Sequence, residues 1–121
     1  MLDTNNQKGT AGEKIAVEHL LSQGYKILSR NWRYGHLELD IIAQDGKTLV
    51  IVEVKLRASN AFGTPQEFVT RAKQKKIIKA AGFYIREHNI DLEIRFDVVS
   101  VIQNSNELSV EHIKAAFYPG L

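Results

Sequence analysis

An α/β fold, a mixed central β-sheet flanked by helices, is the class that the order of sequence patterns predicts. A helix-period stretch near the N-terminus precedes three strand-like segments, the second and third joined at Asp45-Gly46. A second helical stretch and another alternating segment, "LEIRFDVVSVIQ", follow. The order is αβββαβ, with "LSVEHIKAAF" at the end open between a last strand and a short helix.

The first helix is expected over residues 10 to 23. Thr10 and Glu13 have the spacing of a capping box, Val17, Leu20 and Leu21 recur at helical intervals, and Gly24 is placed to end it. Residues 1 to 8 are polar and expected to be flexible. "YKILSRNWRY", residues 25 to 34, reads as the first strand and its exit. "LELDIIAQ" and "KTLVIVEVKLRA" read as a hairpin, because Asp-Gly between apolar segments is a strong turn signal. "SNAFGTPQ" is expected to be a loop. The helix after it falls between residues 66 and 88, capped either by Thr64 with Pro65 in the first turn or by Thr70.

The chain of 121 residues fits a single domain spanning 1–121, with 44% hydrophobic and 25% charged residues. No apolar run approaches the ~18 residues of a membrane span, and "MLDTNNQKGT" does not read as a secretory signal. Without cysteine, disulfide and thiolate chemistry are excluded, and a cytoplasmic protein with no membrane partner is expected. A net charge of +2 and a pI near 8.9 do not by themselves argue for nucleic acid, so any basic face must be local.

Two charges interrupt the apolar "LVIVEVKL": Glu53 and Lys55. Lys and Glu are rarely buried unless paired. If Asp45-Gly46 is a two-residue loop, Gln44 faces Lys47, Asp40 faces Ile51 and Glu38 faces Glu53, so Glu38, Asp40, Ile51, Glu53 and Lys55 project from one side of the sheet. Converging carboxylates repel unless a cation sits among them or protons are taken up. Mg²⁺ is typically held by one or two carboxylates, with water and phosphate oxygens completing the shell. Asp40 and Glu53 suffice for that, and Lys55 stands where it can serve an attacking water and offset phosphate charge. Solvated cross-strand charges are the ordinary alternative. Against it weigh the apolar flanks and Glu13, which shares a stripe with Val17 and Leu20 and reads equally as a cap and as a site contributor.

"KGTAGEKIAVEHLLSQGYKILSRNWRYGHLELDIIAQDGKTLVIVEVKLRASNAFGTPQEFV", with "RFDVVSV" and "IKAAF" beyond it, resembles the bacterial UPF0102 (YraN-like) family over nearly the whole chain. That family looks like part of the PD-(D/E)xK nuclease superfamily, nearest in layout to archaeal Holliday-junction resolvases. The resemblance implies a restriction-endonuclease-like core, with Glu13 as the helix-one acid, Asp40 as the motif aspartate, Glu53 and Lys55 as the ExK pair, and Glu38 as the glutamate of the family's GEID stretch. Leu39 stands where the superfamily has proline and Leu37 where the family usually has glycine. Neither change removes a metal ligand.

On the second helix Arg71, Lys75 and Lys79 recur every four residues, with Lys76 beside them, a stripe suited to phosphates. Arg57 is a further candidate, and Lys73 is placed to reach the acidic site. Trp32 and Tyr34 are candidates for stacking on exposed bases, although such aromatics more often anchor a small core. The four histidines show no metal spacing, and Asp97 has no assigned chemistry. The sequence therefore predicts a Mg²⁺- or Mn²⁺-dependent endonuclease acting on DNA, branched or flapped. Asp40, Glu53 and Glu38 are the metal candidates, and Asp40, Glu53, Lys55 and Glu13 the catalytic ones. The alternatives are a noncatalytic nucleic-acid-binding module and a protein adaptor. Homodimerisation is expected only by analogy with resolvases.

Overall fold

Five strands lie side by side in chain order: β1 (Lys26–Tyr34), β2 (Leu37–Asp45), β3 (Thr48–Ala58), β4 (Glu93–Asn104) and β5 (Glu107–Phe117). Helices α1 (Thr4–Ser22) and α2 (Arg71–Glu87) are the other elements among the described residues. The computed structural model describes residues 4–58 and 69–119, with side chains from residue 11 onward. Neighbouring strands are antiparallel except β3 and β4, which run parallel. Parallel neighbours need a crossover, and α2 lies in the connection between them. The fold is α/β on a mixed sheet, the layout expected of a restriction-endonuclease-like core, and the segment left open at the C-terminal end is a strand.

The continuous apolar run of β3 follows from cover on both faces. Leu49 and Ile51 pack with Phe96, Val98 and the α2 residues Ile77, Ala80, Ala81 and Tyr84. Val50 and Val52 pack on the other side with Val99 and the α1 residues Ala16 and Leu20. Helix α1 ends where expected, with Gly24 at φ +87° and Tyr25 N–H donating to the Leu20 carbonyl at 3.0 Å. Its start differs: helix is already present from Thr4, so residues 4–8, expected to be loose, are helical. The Thr10–Glu13 capping box does not mark the terminus. Helix α2 takes the second of its two expected caps, with Thr70 accepting from Lys73 N–H at 3.1 Å. Thr64 and the expected loop at 59–66 fall outside the described residues.

The hairpin register is corrected by two residues. Asp45 pairs with Thr48, so the loop is Gly46-Lys47, with Gly46 at φ +60°. A glycine first in a two-residue loop supplies the positive φ that such hairpins need. A shift of two keeps the side chains between Ile41 and Val52 on their faces but changes what each opposes. Ile42, not Asp40, is opposite Ile51.

Behind the α1 face lies a buried ionic centre. Asp97 is fully buried and accepts from Arg95 at 2.9 and 3.1 Å, from His112 Nε2 at 2.8 Å and from Ala115 N–H at 3.0 Å. Ala115 has φ +52°, and the β4–β5 register shifts between Phe96 and Val98. The carboxylate thus holds a bulged segment of an edge strand in place.

Candidate functional site

The site forms where β2 parts from β3. Their paired register runs outward only as far as Ile41 opposite Val52. Beyond that point Asp40 Oδ2 accepts from Val54 N–H at 2.9 Å, so a carboxylate takes a backbone donor that the parting strands leave open. Alternation also slips here. Leu39 and Ile42 both join the α2-side core, whereas Ile41 and Ala43 join the α1-side core. That slip of one residue occurs around Asp40 and frees its side chain from the regular pleat.

Glu53 is 5% exposed, and its carboxyl lies close to that of Asp40. Burial first, then Asp40's hydrogen bond and negative charge, push its carboxyl up to about 8. Lys55 Nζ and Lys73 Nζ each stand 3.8 Å from Glu53 Oε2 and oppose that rise. One lysine comes from the same strand and the other from the first turn of α2. The Thr70 cap fixes the turn that carries Lys73. The acid form of Glu53 is thereby favoured, the condition expected when too little positive charge surrounds two acids.

Glu13 reaches the same region from α1. Burial raises its carboxyl above the usual range, a hydrogen bond from Asn31 works against that rise, and Asp40 and Glu38 add to it. Glu38 is not opposite Glu53. It pairs across the β1–β2 ladder with Arg33, whose guanidinium lies 3.7 Å from its carboxylate. The structure therefore brings together Asp40, Glu53, Lys55 and Lys73, places Glu13 beside them, and turns Glu38 toward β1. Among the described residues no group of three or more His, Asp or Glu is arranged to hold a metal ion.

Asn31 was not singled out in the sequence. It lies between Arg30, paired with Ile41, and Trp32, paired with Leu39, and so sits opposite Asp40. It adopts φ +51° within β1, and its side chain lies close enough to Glu13 to favour that carboxyl's charged form. Asn tolerates the left-handed region better than most residues, and such strain concentrates at functional sites. Its position inside an otherwise strand-like "SRNWRY" gave no signal of this.

The cations separate into two groups. Arg71, Lys75, Lys76 and Lys79 are exposed on α2, opposite the buried Ile77, Ala80, Ala81 and Tyr84. Arg57 instead points to β5, with its guanidinium 3.1 Å from Glu111 and its side chain only 13% exposed. It is not part of the α2 stripe.

The family model described as "Uncharacterised protein family UPF0102" matches residues 12–101. A UPF0102 protein of Bacteroides thetaiotaomicron is 46% identical, covering 97% of this chain and 97% of that relative. One of Flavobacterium psychrophilum is 46% identical over 94% of this chain and 96% of its own. Among solved structures, SfsA of Pyrococcus furiosus in complex with Ca²⁺ is similar at 17% identity and a TM-score of 0.34, with 91% of this chain and 63% of that one covered. So distant a likeness carries no weight beside the sequence matches. On the match across residues 12–101 and the near-full-length relatives, the chain belongs to the UPF0102 family.

Proposed function

We propose that this protein is a divalent-metal-dependent endonuclease that hydrolyses phosphodiester bonds in DNA, with branched or flapped forms as the first substrates to try. One observation carries the reading: a 5%-exposed Glu53 lies beside Asp40, whose Oδ2 takes the Val54 N–H, while Lys55 and Lys73 both stand 3.8 Å from Glu53. A carboxyl pushed up to about 8 by burial and by its neighbour is a donor set short of positive charge, which a hard dication makes good. Two carboxylates are enough for Mg²⁺ or Mn²⁺ when water and phosphate oxygens complete the shell. Asp40 and Glu53 would hold the ion. When bound, it supplies Lewis acidity toward a phosphate oxygen and acidifies a water.

The chain's own groups divide the remaining work. Lys55, on the face of Glu53 and two residues along, is set to offset charge developing on the phosphate. Lys73 steadies Glu53 from the α2 side. Asn31, close to Glu13, favours its charged form beside Asp40. Arg71, Lys75, Lys76 and Lys79 form an exposed row for the phosphate backbone, whose contacts position a substrate without reading its sequence.

Labelled single-stranded, duplex, flapped and four-way-junction DNAs, incubated with Mg²⁺ or Mn²⁺, test the reading. Cleavage by the wild type and its loss, by at least ~100-fold, in Asp40→Ala and Glu53→Ala support it. Salt-dependent binding without cleavage under either metal would instead identify a noncatalytic binding module. The lysines already beside Glu53 suit that alternative, since they partly neutralise it without a metal. Neither binding nor cleavage would leave the adaptor reading.

A further inference from the structure

At the end of β1, Tyr34 leaves 45% of its surface exposed although it sits in an aromatic row. Its ring stacks flat on Phe83 of α2, 4.1 Å away with the planes at 11°. Arg86 lies over the Phe83 ring at 5.0 Å. Trp32 is 6.1 Å from Tyr34 and is braced edge-on by the buried Tyr84 at 5.3 Å. Core packing thus accounts for Trp32, which joins the α2-side cluster, but not for Tyr34. A cavity of about 410 Å³ opens there, lined by Tyr34, Phe83, Arg86 and Glu87.

We propose that this corner seats an unpaired nucleobase, so that the substrate is a nucleic acid carrying a single-stranded segment beside its duplex. The inference rests on the nuclease reading and names the substrate class of that site. The exposed Tyr34 ring, backed by Phe83, offers a flat contact that every base can use, and stacking of this kind is the usual grip on single strands. Arg86 adds a cation that suits both a base edge and a neighbouring phosphate. Glu87 on the rim repels phosphate but accepts an N–H from a base, so the seat favours the base over the backbone.

Charge around the corner argues for a polyanion rather than a protein. Lys75 and Lys79 precede Phe83 at intervals of four along α2. From Lys73 at the acidic site to Phe83 the helix rises ~15 Å, about four nucleotide steps of a duplex strand and fewer of an extended one. A strand lying on the lysines therefore reaches the acids and the aromatic seat together.

The test compares blunt duplex DNA with the same duplex bearing a short single-stranded end. Metal-free binding is read by anisotropy, and 2-aminopurine is walked along the overhang. The wild type is expected to prefer the overhang and to quench the probe at one position. Tyr34→Ala should lower overhang affinity about tenfold and abolish the quench, whereas Tyr34→Phe should keep both. Arg86→Gln, at an exposed position, gives the same readout if Tyr34→Ala folds poorly. Paired Lys75→Ala and Lys79→Ala changes should weaken both DNAs alike. Duplex binding that these lysine changes weaken, without any overhang preference or with one that Tyr34→Ala leaves intact, overturns the seat while sparing nucleic-acid binding. A complete absence of DNA binding defeats both readings. If Tyr34→Ala instead turns a wild-type dimer into a monomer and leaves DNA preference unchanged, the corner is a contact between copies and the seat is rejected.

Discussion

Glu53 and Asp97 are both buried acids, and their surroundings send them in opposite directions. Glu53 faces another carboxyl and two lysines at 3.8 Å, so burial dominates and its acid form is favoured. Burial would also raise Asp97, but hydrogen bonds from His112, Arg95 and Ala115 outweigh it and hold the group below the usual carboxylate range. The first environment is unfinished, as a binding site can be, and the second is complete. Asp97→Asn keeps the shape but leaves Arg95 and His112 without their anion. It is expected to destabilise the fold by about 3–5 kcal/mol, a loss measurable by urea denaturation. His19, whose Nε2 lies 3.1 Å from His112 Nδ1, is kept below its ordinary pKa by burial and by that neighbour, so the same network ties α1 to β5.

Elements matter here through how they end. The irregular end of β2 lets Asp40 leave the pleat and reach Val54 N–H. On the other side, the first turn of α2 delivers Lys73, and Thr70 holds that turn through the Lys73 backbone itself. Thr70→Ala should therefore do two things at once. It is expected to cost about 1 kcal/mol of stability, as loss of a cap usually does, and to weaken the proposed nuclease activity more than Lys79→Ala, which lies two turns further along. Thermal melts and single-turnover cleavage read the two effects separately, and Thr70→Ser should restore both. The far end of α2 is closed by His88, whose Nδ1 donates to the Tyr84 carbonyl at 3.0 Å, and by Asn89 at φ +51°. That closure keeps Phe83 and Tyr84 at a firm helix end.

For the whole molecule the site sets a dependence of stability on pH. The folded pKa of Glu53, about 8, lies above its ordinary 4.5, so between those values the native state holds a proton that the unfolded chain has released. Stability from this group is complete below ~pH 4.5 and is lost as pH rises toward about 8, at up to ~1.4 kcal/mol per pH unit. Asp97 acts oppositely: its depressed pKa contributes stability above the ordinary aspartate range, which is lost as pH falls. Glu53→Gln cannot release a proton, so without metal it is expected to be more stable than the wild type at pH 8 and near it at pH 5. Urea midpoints at the two pH values check this. A gain that grows from pH 5 to pH 8 is the mark of a functional acid held at the expense of stability.

Much of this arrangement was legible in the residues. Periodicity and breakers gave α1, the first four strands and the α/β class, Asp-Gly gave the hairpin, and the interruption of "LVIVEVKL" by Glu53 and Lys55 pointed to a charged site. Parity is a local property of a strand, so Glu53 and Lys55 share a face whatever the fold around them. The pairing partner is not local. A turn shifted by two residues moved Ile42 opposite Ile51, and the pairing with β1 drew Glu38 to Arg33. The α2 lysine beside Glu53, the strained Asn31 facing Asp40, the anchoring of Asp97 and the Tyr34–Phe83 stack join residues distant in sequence. The sequence alone determined which residues carry charge and which elements carry them. Tertiary packing decided which charges meet, because the field at a buried group depends on neighbours that the chain brings in from elsewhere.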